Sequence, residues 1–246
     1  MDTPRPVLLM TRPRAASERF VSALPVEVAD RVEVCIAPLM EIALSDAPIT
    51  AADAQGVIFS SANGVQAARA AGLEPRLPAF CIGRATTAAA TGAGWNARFA
   101  GEDADALVAT LARTRPATPL LHLHGAHTRG DIAGRLTAAG LPTLGLPVYD
   151  QRLLPLSPAA KRHLAGQTPV IAPLFSPRTA RQFAEEIAAP DRVHAIALSP
   201  AVAEVLAGKS FASLVTVDRP EADLMIGAIA GNLARLCRVE GRGEPQ

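Results

Sequence analysis

Val57-Ile58-Phe59-Ser60-Ser61-Ala62-Asn63-Gly64 is an apolar run that ends on hydroxyls and a glycine. A run of this kind fits a strand buried on both faces, and the Ser/Asn/Gly turn after it opens a helix. The pattern returns at Ala172-Pro173-Leu174-Phe175-Ser176-Pro177-Arg178-Thr179, which pairs Ser61 with Ser176 at an offset of 176 − 61 = 115. The next stretch repeats too. Ala79-Phe80-Cys81-Ile82-Gly83-Arg84-Ala85-Thr86 matches Ala195-Ile196-Ala197-Leu198-Ser199-Pro200-Ala201-Val202, and Gly83 pairs with Ser199 at 199 − 83 = 116. Each stretch is followed by a strand and then by an acidic segment opening a helix, at 102–107 and at 221–224. Every α/β chain alternates strand and helix, but here the residue types at the turns match as well as the period. Two copies of one domain are expected.

The same alternation runs outward from these stretches. Strands are predicted over 7–11, 32–38, 57–60, 79–82, 95–100, 120–124, 142–149, 170–175, 193–198 and 212–217. Helices are predicted over 15–24, 64–71, 85–91, 104–113, 131–139, 158–164, 178–187, 201–207 and 222–236. Short buried strands separated by helices imply parallel sheets covered on both faces, so the fold class is α/β with doubly wound domains. Apolar residues make up 49% of the 246, enough to bury a core in one large domain or two small ones.

The formal net charge of +1 argues against a broad nucleic-acid surface, yet leaves room for an anionic small molecule held by a few arginines. The three cysteines, Cys35, Cys81 and Cys237, are far apart and form no metal or disulfide pattern. No apolar run approaches membrane-spanning length, and no targeting signal is seen at the N-terminus, so a cytoplasmic protein without membrane contact is expected.

Ligands of parallel sheets sit at the carboxyl ends of the strands, beside helix N-termini. Those turns carry Arg12, Ser61, Gly83 with Arg84 and Thr86, Gly125 with Arg129, Ser176 and Ser199. Hydroxyls and free backbone N–H groups there favour carboxylate or phosphate, and arginine adds bidentate pairing. The plainer account is open for each: Ser-Pro before a helix is ordinary capping, and an arginine there can be solvated surface. No dinucleotide fingerprint, Walker loop or nucleophile elbow is present. His122, His124 and His127 form a compact group, but no carboxylate accompanies them before Asp131. Polar residues at a strand end are expected there rather than a metal site.

The segments Val7-Leu-Leu-Met-Thr-Arg-Pro, Phe59-Ser-Ser-Ala-Asn-Gly-Val and Ile82-Gly-Arg-Ala-Thr-Thr resemble the uroporphyrinogen-III synthase family. So do Leu136 to Gly140 followed by Val148-Tyr149, Phe175-Ser-Pro-Arg-Thr-Ala and Leu198-Ser-Pro-Ala-Val-Ala, in the same order across nearly the whole chain. The resemblance implies two similar doubly wound domains with a cleft between them. One would be discontinuous, 1–37 with 154–246, and the other inserted, 42–148. Extended segments at about 37–44 and 148–155 would join them as a two-stranded connector. The reaction implied is closure of linear hydroxymethylbilane, a tetrapyrrole with eight carboxylates, to uroporphyrinogen III. Ring D is inverted through a spiro intermediate, and water is lost. No metal or organic cofactor is implied.

Within that resemblance Tyr149 matches a tyrosine facing the cleft, either a leaving-group proton donor or a packing residue. Thr86 matches a cleft threonine, whose counterpart in the second copy is Val202 here instead of a hydroxyl residue. Arg12, Ser61, Gly83, Gly125, Arg129, Ser176 and Ser199 would contact substrate. The protein would act chiefly by holding a polyacidic chain in one shape. A monomer is expected, with room for transient contact with hydroxymethylbilane synthase. A non-catalytic two-lobed binding module for an anionic small molecule is the alternative, and a two-lobed glycosyltransferase is a third reading that lacks a visible nucleotide site.

Overall fold

The computed structural model describes residues 5–50, 53–127 and 130–240. The chain divides into two compact units, one formed by Met1–Glu41 with Leu153–Gln246 and the other by Ile42–Arg152.

The first unit holds β1 (Val7–Met10), α1 (Arg14–Ser22), α2 (Val26–Ala29) and β2 (Glu33–Ile36). The second unit follows, with β3 (Met40–Leu44) leading into it, then β4 (Gly56–Phe59), α3 (Ala62–Ala70), β5 (Pro78–Ile82) and α4 (Arg84–Gly92). It continues with β6 (Asn96–Gly101), α5 (Ala104–Thr114), β7 (Leu120–Gly125), α6 (Ile132–Ala138) and β8 (Thr143–Leu153). The chain then completes the first unit with α7 (Pro158–Ala165), β9 (Val170–Leu174), α8 (Pro177–Glu186), β10 (Val193–Ala197), α9 (Pro200–Glu204), β11 (Ser213–Thr216) and α10 (Ala222–Glu240).

The strand orders are β11-β10-β9-β1-β2 in one sheet and β3-β8-β7-β4-β5-β6 in the other. Read from the opposite end, the second becomes β6-β5-β4-β7-β8 plus one edge strand. The two orders then superpose, with β9 standing for β4, β10 for β5, β11 for β6 and β1 for β7. The two copies therefore share one topology, with chain order rotated in the first unit. All the strand pairs common to both are parallel.

The central strands are buried on both faces, which is why they read as unbroken apolar runs. In the first unit Val7, Leu9, Ala172 and Leu174 pack with Phe183 of α8 and Val202 of α9. Leu8, Met10, Ile171 and Ile196 face the other way, against Phe20 of α1 and Met225, Ile229 and Leu233 of α10. In the second unit Val57 and Phe59 meet Val65 and Ala68 of α3, with Trp95 edge-on to Phe59 at 5.2 Å. Ile58 and Phe80 meet Leu107 and Leu111 of α5 and Leu136 of α6 on the opposite face.

The two connector segments are strands: residues 40–44 form β3, and β8 runs on past Tyr149 to Leu153. These two strands hydrogen-bond to each other, with Ser45 N on Val148 O and Leu154 N on Leu39 O. As one number rises the other falls, so the pair is antiparallel. Helix α3 also begins earlier than expected, at Ala62, which makes Ser61 its N-cap.

Candidate functional site

A cavity of about 460 Å³ opens at the carboxyl ends of the strands of the second unit. Its wall includes Ser60 and Ser61 after β4, His122 and Gly125 of β7, Asp103 and Asp105 at the start of α5, and Tyr149 of β8.

Tyr149 is held from two sides. The register between β7 and β8 slips after His124: His124 pairs with Pro147 and Gly125 with Tyr149, so Val148 is the extra residue. The slip lays the tyrosine ring across Gly125. A Cβ on residue 125 would stand 2.7 Å from the ring, so the glycine is the residue that lets Tyr149 lie there. The ring is 7% exposed and joins the apolar cluster of Phe59, Val65 and Leu123. Its hydroxyl is 2.8 Å from Ser61 Oγ. Packing and a cavity-facing phenol are therefore both true of this residue.

Ser61 Oγ also accepts from Gly64 N at 3.4 Å, closing the first turn of α3. Beside it, Ser60 Oγ lies 3.1 Å from His122 Nε2. His122 is 3% exposed, its ring 4.7 Å from that of His124. Burial, with His124 adding to it, pushes the His122 pKa down to about 3, so its imidazole is neutral near neutral pH. Asp103 caps α5 through Ala106 N at 2.8 Å, and Asp105 pairs with Arg135 at 2.7 Å. Both acids of the wall thus have partners. His127 stands 3.8 Å from Asp150. No cluster able to hold a metal ion occurs among the described residues.

Gly83 takes φ +75°, a conformation costly for other residues, and its carbonyl accepts from Thr87 N and Thr87 Oγ1. Neither it nor Thr86 is among the lining residues. Thr86 is 7% exposed and sits on the buried face of α4, as Val202 does on α9. The two residues are three positions past equivalent turns, so a buried side chain is what this position has in both copies. Arg129 lies outside the described residues.

In the first unit the corresponding strand ends carry Arg12, Ser176 and Ser199. The Arg12 guanidinium lies 4.3 Å above the Phe175 ring, which itself packs edge-on to Phe20. Partial burial, then repulsion from Arg19, lowers the pKa of Arg12. Among the described residues no carboxylate forms an ion pair with Arg12. Ser176 Oγ accepts from Thr179 N and meets Thr179 Oγ1 at 2.8 Å, so it is a cap. Ser199 makes no side-chain cap bond.

The family model described as uroporphyrinogen-III synthase HemD matches residues 28–227. The chain belongs to the uroporphyrinogen-III synthase family. Its fold is that of the uroporphyrinogen-III synthetase of Helicobacter pylori, at 14% identity and TM-score 0.65 over 93% of this chain and 99% of that one. A mutant uroporphyrinogen III synthase from Thermus thermophilus also matches, at 14% identity and TM-score 0.46 over 95% and 99%. No curated protein is significantly similar in sequence.

Sequence reasoning for this uroporphyrinogen-III synthase family member singled out Tyr149, Ser61 and Gly125, and the structure brings these three to one cavity. It missed Ser60, Asp103 and Asp105 as cavity walls, and gave the histidines only as a strand end. The acidic segment at 102–107 was visible, but an N-cap aspartate looks the same in sequence whether or not it faces a cavity.

Proposed function

We propose that Tyr149 supplies and then recovers the proton when this enzyme closes hydroxymethylbilane to uroporphyrinogen III. The observation that carries this is the phenol hydroxyl in the cavity wall, hydrogen-bonded to Ser61 and pinned over Gly125. The C–O bond of the hydroxymethyl group breaks as the pyrrole nitrogen pushes electrons toward it. Tyr149 gives its proton to the departing hydroxide, and water leaves. The already substituted α-carbon of ring D then attacks the freed methylene to give the spiro intermediate. The bond from that carbon to the bridge to ring C breaks, the bridge carbon rejoins ring D at its other α-carbon, and the proton on that second carbon leaves as ring D becomes aromatic again. The phenolate takes that proton back. One substrate gives one product and one water, and the enzyme ends unchanged.

The rest of the work is positioning. Arg12, stacked on Phe175 and without an internal acid partner among the described residues, suits a substrate carboxylate. Backbone N–H groups and hydroxyls at the turns after Ser176 and Ser199 suit others. The neutral His122 and the partnered Asp103 and Asp105 add no free strong base to the wall. A cytoplasmic monomer taking its unstable substrate from hydroxymethylbilane synthase fits this reading. No helix among the described residues is long and apolar enough to cross a membrane.

The test is Tyr149→Phe, which keeps the ring on Gly125 and removes only the hydroxyl. Turnover to isomer III is expected to drop about 100-fold with an unchanged circular dichroism spectrum. A variant with full turnover removes Tyr149 from the chemistry.

A further inference from the structure

The hydrogen bond between Tyr149 and Ser61 has a direction, and the direction decides whether the phenol proton is available. Ser61 Oγ has two partners among the described residues, Gly64 N at 3.4 Å and the Tyr149 hydroxyl at 2.8 Å. A backbone N–H only donates, so toward Gly64 the serine oxygen accepts. The Ser61 proton then has the Tyr149 oxygen as its protein acceptor, and the phenol proton is left facing the cavity. In the opposite arrangement Ser61 accepts twice and turns its own, far less acidic, proton to the cavity.

Two physical effects select the first arrangement. Hydrogen bonds that run head to tail polarise one another, so a hydroxyl that accepts from an amide donates better. Here the series is Gly64 N–H, Ser61 O–H, Tyr149 O–H, cavity. Ser61 is also the N-cap of α3, a nine-residue helix whose positive end favours electron density on the oxygen receiving that proton.

We propose that Ser61 is a positioning residue for Tyr149. It holds the phenol oxygen as an acceptor so that the phenol proton points at the leaving hydroxyl. The phenolate left after donation keeps the same Ser61 hydrogen bond and the same helix end, and both are stronger for an anion than for a neutral phenol. The inference rests on Tyr149 being the proton donor, and it gives Ser61 in the cavity wall a task toward the tyrosine in addition to any contact with substrate.

The chain has one tyrosine, so its tyrosine Raman signals come from Tyr149 alone. The intensity ratio of the tyrosine Fermi doublet distinguishes a phenol oxygen that accepts from a phenol that donates. Ser61→Ala removes a helix cap, so the main variant is Ser61→Asp, which keeps the cap but has a carboxylate that cannot donate. In wild type the doublet is expected in its acceptor form, and in Ser61→Asp in its donor form. The kcat of Ser61→Asp is expected to fall about tenfold or more with KM for hydroxymethylbilane within about twofold, and Ser61→Thr to recover most of the rate. A donor-form doublet in wild type overturns the inference, as does wild-type turnover by Ser61→Asp. An acceptor-form doublet together with a fully active Tyr149→Phe supports the hydrogen-bond direction and removes the proton-donor role on which the inference was built.

Discussion

His122 is an imidazole that the protein keeps neutral. Its partner Ser60 and its neighbour His124 sit with it at the edge of a cavity, and the unprotonated ring is the form this packing accepts. The folded pKa of about 3 lies below the ordinary value of 6.5, so between those two pH values the unfolded chain binds a proton that the folded chain refuses. The stability that this group protects is complete above pH 6.5 and is lost as pH falls toward 3. Denaturant unfolding measured across that window should show stability falling by up to about 1.4 kcal/mol per pH unit from this residue. His122→Gln should flatten the fall. Identical pH slopes in the two proteins would show that the ring is not held neutral. The same proximity explains why sequence could not reveal the Ser61–Tyr149 pair. The two residues are 149 − 61 = 88 positions apart and meet because β4, β7 and β8 are adjacent and β7 and β8 slip by one residue. Pro147 was the one signal of the slip in the run 143–149, since a proline inside a strand sits at an edge or a bulge, but it does not say which residue the ring of Tyr149 would meet.

Helix starts were the most legible elements, because a serine or aspartate after an apolar run marks one. What capping chemistry alone could not separate is a serine that caps from one that only precedes a helix. Ser176 and Ser199 both stand before proline at successive strand–helix turns of the first unit, yet Ser176 bonds Thr179 N and Ser199 makes no cap bond. The difference follows from the residue three positions on. Thr179 offers Ser176 a second partner in its own hydroxyl at 2.8 Å, whereas Val202 offers Ser199 none. Ser176→Ala should therefore lower the urea midpoint by the equivalent of about 1 kcal/mol, and Ser199→Ala should shift it by less than about 0.5 kcal/mol, with m unchanged in both. Equal losses would mean that the hydroxyl bond at α8 carries no stability. Strand ends were less legible. Residues 40–44 run from buried Met40 and exposed Glu41 to three half-buried positions, so they read as half of a two-stranded connector, and the sheet they extend is seen only in the fold.

Across the whole chain the internal repeat was legible as two near-equal offsets, and the sheets explain them. The segments that repeat are β4 with β9 and β5 with β10, which occupy matching places in two sheets of one strand order. Function was legible only as a resemblance, because the residues proposed to act are single hydroxyls, a glycine and an arginine at separate strand ends, with no compact motif among them. Family membership over residues 28–227 and a cavity with one hydrogen-bonded tyrosine now support the same reaction. The most direct measurement is the isomer composition of the porphyrins formed when the purified protein is given hydroxymethylbilane, the product oxidised and the isomers separated by chromatography. A cyclising enzyme of this family gives predominantly isomer III, far above the level of a reaction without protein. Isomer I at the level of spontaneous closure would contradict it.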